Sequence, residues 1–254
     1  MNSIIGWVGG KKQLRNEIIS LFPENFNMYV EVFGGAAWVL LGKEKHAKEE
    51  VYNDYNKDLV NLFRCVKYHR QELEKELELT LSSRENFNYF KDLLALDGLT
   101  DIQRAATFFY LIRLSFGNKG ANYATRGKSL KKQITMFRQL ATRFEKVVVE
   151  NKDFEELIKL YDRSDTLFYL DPPYLGTENY YNNARQKYFT SEDHIRLKNA
   201  LSMVKGKFLL SYNDCEVIRD LYSEYDIIEV KRKETLSTTG NNKKDYGELL
   251  IKNY

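Results

Sequence analysis

Short apolar runs and longer segments with apolar residues every three to four positions follow one another along this chain. The runs at 28–34 (MYVEVFG), 49–54 (EEVYND), 146–151 (KVVVEN), 166–171 (TLFYLD), 207–214 (KFLLSYND), 225–234 (YDIIEVKRKE) and 247–254 (GELLIKNY) read as strands. Leu167 to Leu170 lack polar alternation, as in a strand covered on both faces. Helical spacing predicts helices over AAWVLLGKEK, KDLVNLFRCVKYHRQEL, DFEELIKLY and SEDHIRLKNALSMV, with Ser191 the expected cap of the last. Strands alternating with helices predict an α/β fold with a mostly parallel sheet. Only TLSTTGNNKKDY, with turn-forming Gly240, Asn241 and Asn242, separates the last two runs, which therefore predict an antiparallel hairpin. Residues 57–145 hold helix-like segments without a strand, too long for an ordinary connection, and predict an inserted helical subdomain.

A length of 254 residues suits one large α/β domain with such an insertion: 1–56 and 146–254 in the main domain, 57–145 in the insertion. No apolar run is long enough to cross a membrane and the amino terminus lacks a signal-like stretch, so a cytoplasmic location is expected. Cys65 and Cys215 belong to no CxxC pair, which argues against a zinc site or a disulfide framework; both are expected to be buried bystanders. The net charge of +3 is mild, but its distribution is uneven. Lys119, Arg126, Lys128, Lys131, Lys132, Arg138, Arg143 and Lys146 face Glu145 alone within 119–146, whereas Glu72, Glu74, Glu76 and Glu78 form an acidic run.

In open α/β sheets ligands bind beyond the carboxyl ends of the strands. There the first strand brings Glu31, then Gly34 and Gly35, small residues that let a ligand approach the backbone. The second brings Asp54, roughly 20 residues further on, where an acid bonds ribose hydroxyls in nucleotide-binding units; a helix cap is an equal alternative. The third brings Asp153 and Phe154, either an acceptor beside an apolar contact or a cap followed by a core aromatic. The fourth ends in Asp171-Pro172-Pro173-Tyr174, where two prolines stiffen the exit and present the acid and the tyrosine. GGKKQ lacks the full phosphate-loop pattern, which rejects nucleotide hydrolysis.

The ordered set GWVGGKKQL, VEVFGGAA, NDYNKDL, KDF, LDPPY and ELLIKNY resembles the Dam-related (D12 class) adenine-specific DNA methyltransferases over almost the whole chain. That resemblance implies a Rossmann-like methyltransferase sheet of seven strands, S-adenosylmethionine as methyl donor, double-stranded DNA as substrate and no metal. Trp7 and Lys11, which on their own read as core and surface, would line the donor pocket. Asp54 would bind the donor's ribose, and Asp153 with Phe154 its adenine. Asp171 would serve both donor pocket and catalysis, with the Pro172 carbonyl as second acceptor for the target amine and Tyr174 stacked on a flipped adenine. The insertion would be the target-recognition region, its DNA-binding candidates Arg113, Asn118, Lys119, Asn122, Tyr123 and Arg126, with Arg126 or Asn118 reading bases and Lys128, Lys131 and Lys132 as phosphate contacts. Its FGNKGANYATR departs from the Asn-Gly-Leu pattern of GATC-reading relatives, so GATC specificity does not carry over. Residues 177–189 would close over substrate or form an ordinary surface loop. A monomer is expected, with a restriction enzyme as a conceivable cognate partner. Methylation of RNA or of a protein amide, and an inactive DNA-binding relative, are the alternatives weighed. The basic insertion and the intact DPPY speak against them.

Overall fold

The computed structural model describes residues 1–124, 129–178, 189–233 and 245–254. In chain order the elements are α1 (Arg15–Ser20), β1 (Met28–Glu31), β2 (Glu49–Asn53), α2 (Lys57–Tyr68), α3 (Arg70–Glu78), α4 (Arg84–Ala95), α5 (Asp101–Leu114), α6 (Lys131–Ile134), α7 (Phe137–Phe144), β3 (Val147–Glu150), α8 (Phe154–Tyr161), β4 (Thr166–Leu170), α9 (Ser191–Ser202), β5 (Lys207–Asn213), α10 (Glu216–Leu221), β6 (Asp226–Lys233) and β7 (Asp245–Lys252). All the strands expected from the sequence are present and join one seven-stranded sheet in the order β3-β2-β1-β4-β5-β7-β6. Strands β1 to β5 run parallel, and β7 is antiparallel to both β5 and β6.

Strand order reverses between β1 and β4, which opens a crevice at their carboxyl ends. Every residue of β1 and β4 is buried, as two-sided coverage requires. The insertion between β2 and β3 is built around α5, whose residues from Ala105 to Ile112 and Leu114 are buried and whose start is fixed by a Thr100–Gln103 capping box. Phe63 of α2 stacks on Phe144 of α7 at 5.1 Å, and both meet Tyr52 of β2. The insertion thus shares an apolar core with one face of the sheet. Among the described residues, no helix is long and apolar enough to cross a membrane.

Four local expectations need correction. AAWVLLGKEK forms no α-helix: Gly35 and Ala37 take positive φ (48° and 56°), which interrupts helical propagation, and only a 3-10 turn at Leu40–Gly42 remains. KDLVNLFRCVKYHRQEL is two helices, parted at His69 with φ −131° and ψ 33°. The last predicted helix is capped by Thr190 instead of Ser191, because the Thr190 amide and hydroxyl both donate to the Asp193 carboxylate. Cys65 is buried as expected, but Cys215 is only partly so, since it stands at the exposed start of α10.

Candidate active site

A cavity of about 320 Å³ opens at the carboxyl ends of β1, β2, β3 and β4, within the range of small-molecule sites. Trp7, Lys11, Glu31, Gly34, Gly35, Asp54, Asp153, Phe154 and Asp171 all line it. Positions spread over 165 residues of sequence converge because each lies at or within a few residues of the carboxyl end of a parallel strand or belongs to the amino-terminal segment folded across it.

Glycines 34 and 35 have distinct causes. A Cβ on Gly34 would stand 2.2 Å from the Tyr52 ring and 2.8 Å from the Asn53 carbonyl. At Gly35 the φ of +48° and a would-be Cβ 2.8 Å from Trp7 exclude a side chain. Trp7 is half-buried, tilted against Phe108 at 6.3 Å, and so belongs to the cavity wall rather than to the deep core.

The acids of the rim are already engaged with the fold. Glu31 is 2% exposed, and its Oε2 accepts from the Tyr29 hydroxyl and the Leu40 amide, both at 2.7 Å. Burial nevertheless pushes its carboxyl up to about 8, against those two bonds. Asp54 accepts from the Gly35 amide and the Asn56 amide, both at 2.8 Å, and burial raises it to about 6. The cap of α2 is Asn56, so Asp54 instead ties the second strand end to the glycine turn of the first. Asp153 caps α8 through the Glu155 amide at 3.0 Å and pairs with Arg196. The Arg196 guanidinium also lies 4.2 Å from the centre of the Phe154 ring.

At the end of β4, Asp171 accepts from the Lys11 ammonium at 2.6 Å. Lys11 is 3% exposed, contrary to its reading as a surface residue, and also donates to the Gly9 carbonyl at 3.0 Å. Pro173, not Pro172, borders the cavity, and Pro172 is buried. Tyr174 lies outside the lining; its hydroxyl donates to Glu248 of β7 at 2.7 Å and its ring packs beside Tyr212 at 5.9 Å. Burial, followed by the Asp171 and Glu248 charges, raises the Tyr174 hydroxyl well above its ordinary range.

The recognition candidates scatter. Asn118 has φ +57° and its amide would meet a Cβ on Gly6 at 2.3 Å, so it closes the cavity edge together with Lys119. Tyr123 bridges back to Ser115, packs on Phe87 at 5.5 Å and lies under Arg84, a packing role within the insertion. Arg113 is half-buried, and burial lowers its pKa. Asn122, Lys131 and Lys132 are exposed. Arg126 and Lys128, and all but the ends of the 177–189 segment, lie outside the described residues.

Sequence reading missed Glu248, although a carboxylate inside the apolar run of β7 was a usable signal. It also missed Phe108, Leu111, Ile112 and Lys91 of the insertion, which form the far wall of the cavity. Their spacing marks only amphipathic or buried helices, and no pattern in α4 or α5 announces which face meets the sheet.

The family model for D12 class N6 adenine-specific DNA methyltransferases matches residues 7–236. The chain is 27% identical to the type II methyltransferase M1.LlaDCHI of Lactococcus lactis subsp. cremoris, over 98% of this chain and 94% of that protein. It is 23% identical to the type II methyltransferase M.CviBI of Paramecium bursaria Chlorella virus NC1A over the full length of both. It is 24% identical to the DNA adenine methylase of Haemophilus influenzae, over 96% of this chain and 91% of that protein.

Proposed function

Because the chain belongs to the D12 class of N6 adenine-specific DNA methyltransferases, we propose that it moves a methyl group from S-adenosylmethionine to the exocyclic 6-amino nitrogen of an adenine flipped out of duplex DNA. It is an adenine-specific DNA methyltransferase; the donor, the flipped base and the residue roles are our reading. One observation carries that reading: the donor-pocket residues implied by the family resemblance share a single cavity, and Asp171 stands on its rim.

The residues present fit the donor. Side chains at Gly34 and Gly35 would collide with Tyr52 and Trp7, so a bare backbone cradle is kept there. Asp54 and Asp153 offer acceptors suited to ribose hydroxyls and an adenine amine, and Phe154 offers an apolar face. When bound, S-adenosylmethionine supplies an electrophilic methyl on a sulfonium.

The protein's part is to make a poor nucleophile competent. The 6-amino lone pair of adenine is delocalised into the ring. An acceptor on each N–H favours a pyramidal nitrogen with a localised pair, and a fixed negative field stabilises the positive charge that develops there. Asp171 supplies the charged acceptor and the Pro172 carbonyl the second. Since the amine is paired inside duplex DNA, the base must leave the stack, and the Tyr174 ring, pinned through its hydroxyl, offers a rigid surface for it. Stacking of this kind contributes about 1–3 kcal/mol per base. The basic face of α6 with Lys131 and Lys132 is assigned to phosphate.

The test is to express the chain in a host that lacks adenine methylation and to sequence the DNA with detection of modified bases. N6-methyladenine at one recurring sequence is expected; unmodified DNA, or transfer of labelled methyl to RNA or protein alone, would overturn the reading.

A further inference from the structure

The Asp171 carboxylate that should greet the substrate amine is already engaged. Lys11, itself buried, donates to its Oδ1 at 2.6 Å. A cation held there is doubly unhelpful: it occupies an acceptor and opposes the second positive charge that methyl transfer builds on the nitrogen. A second carboxylate lies within reach of the same ammonium. Glu248, 2% exposed and next to the apolar Leu249, Leu250 and Ile251 of β7, has its Oε1 at 3.4 Å from Lys11 Nζ. The same oxygen accepts the Tyr174 hydroxyl, and the Lys11 ammonium lies 4.8 Å from the centre of the Tyr174 ring. A buried carboxylate is costly unless partnered by charge and hydrogen bonds, so its presence between apolar neighbours calls for a task.

We propose that Glu248 is a positioning residue that draws the Lys11 ammonium off Asp171 when the target amine arrives. The hydrogen bond from Lys11 to Asp171 is exchanged for one from Lys11 to Glu248, and the freed Asp171 oxygen accepts from the amine. Lys11 keeps all its protons throughout, and its tether to the Gly9 carbonyl limits the excursion to a shift between two acceptors already within reach. Glu248 acts through Lys11 and does not touch substrate. This inference rests on the adenine methyl-transfer reading given above.

A double-mutant cycle at saturating donor tests it, with single-turnover methyl transfer to DNA and calorimetric donor affinity as readouts. Glu248→Gln keeps an oxygen for the Tyr174 hydroxyl but removes the charge that competes for Lys11. It should slow transfer about tenfold or more while donor affinity stays within about twofold. In a Lys11→Met background the same Glu248→Gln change should cost less than about twofold, because there is no ammonium left to relocate. Equal losses in both backgrounds, or no loss from Glu248→Gln alone, would overturn the proposal. Should the Glu248 variant not fold, a crystal structure of the unaltered protein with donor analogue and DNA decides: Lys11 Nζ bonded to Glu248 and parted from Asp171 supports the exchange, and Lys11 still on Asp171 refutes it. Failure of the unaltered protein to methylate any DNA would instead remove the parent reading, so the two failures are distinguishable.

Discussion

The rim of the cavity and the basic side of the helical insertion are both rich in polar side chains, yet they differ in how those side chains are held. On the rim, Glu31, Asp54, Asp153 and Asp171 each have fixed hydrogen-bond or ion-pair partners within the fold. On the insertion, Asn122, Lys131 and Lys132 stand in solvent on a hairpin-like loop and a helix of four residues. The first arrangement is preorganised, so its electrostatic work needs little reorganisation when a ligand enters. The second can adjust to a long polyanion whose phosphates set the geometry. A substitution on the rim should therefore disturb chemistry or folding, and one at the exposed Asn122, Lys131 or Lys132 should disturb only the strength and salt sensitivity of DNA binding.

The largest test of that contrast is Asp171→Ala. Loss of the charged acceptor should lower methyl transfer at least about 100- to 1,000-fold, measured with tritiated donor. Donor affinity should survive in part; unchanged turnover would remove Asp171 from catalysis.

Glu31 gives a pH test. Its folded value of about 8 lies above the ordinary 4.5, so the folded state holds a proton that the unfolded chain releases between those values. Its contribution to stability is complete below about pH 4.5 and is lost as pH rises through 8, by up to a few kcal/mol. Glu31→Gln, which can still accept from Tyr29 and Leu40, should flatten that decline and raise the melting temperature at pH 8. A decline as steep as in the unaltered protein would show that other groups cause it.

Gly34→Ala probes rigidity at the same turn. With Tyr52 and the Asn53 carbonyl in the way, the added methyl should cost about 1–3 kcal/mol. Thermal melts should fall by roughly 2–4 °C per kcal/mol in a chain of this size, and an unchanged melt would mean the turn yields more readily than the packing implies.

The smallest effect is expected from Lys131→Gln with Lys132→Gln. If both meet phosphate, the slope of log affinity against log salt becomes shallower by about 1.8. Donor binding should not change; a change there would erase the distinction between the two regions.

Strand positions were legible in the sequence because β-strands cluster apolar and β-branched residues in short runs, and seven such runs stood out from helical spacing. The site residues that follow strands were legible for the same reason: once the strands are placed, a parallel sheet puts their carboxyl ends at one edge. Gly34, Asp54, Asp153 and Asp171 could be placed at the cavity from their strands alone, whereas the cap alternative for Asp54 and Asp153 stayed open until the structure showed Asn56 capping α2 and Asp153 capping α8. The segment after β1 misled, since AAWVLLGKEK has helical spacing but positive φ at Gly35, just before it, and at Ala37, its second residue, breaks the helical path. There the Leu40 amide is taken by the buried Glu31, a contact across the turn that periodicity does not encode.

By itself, then, the sequence determined the sheet, its closing hairpin, the presence of a helical insertion and the chemistry gathered at the strand ends, because these follow from local periodicity and from the handedness of parallel connections. Only the tertiary structure decided that Lys11 is buried against Asp171, that Glu248 and Tyr174 meet behind it, and that Phe108 and Ile112 wall the cavity. Those pairings join residues up to 160 positions apart, and contacts at such separation are fixed by packing and by the cost of leaving a buried charge unpartnered, neither of which leaves a periodic trace in the chain.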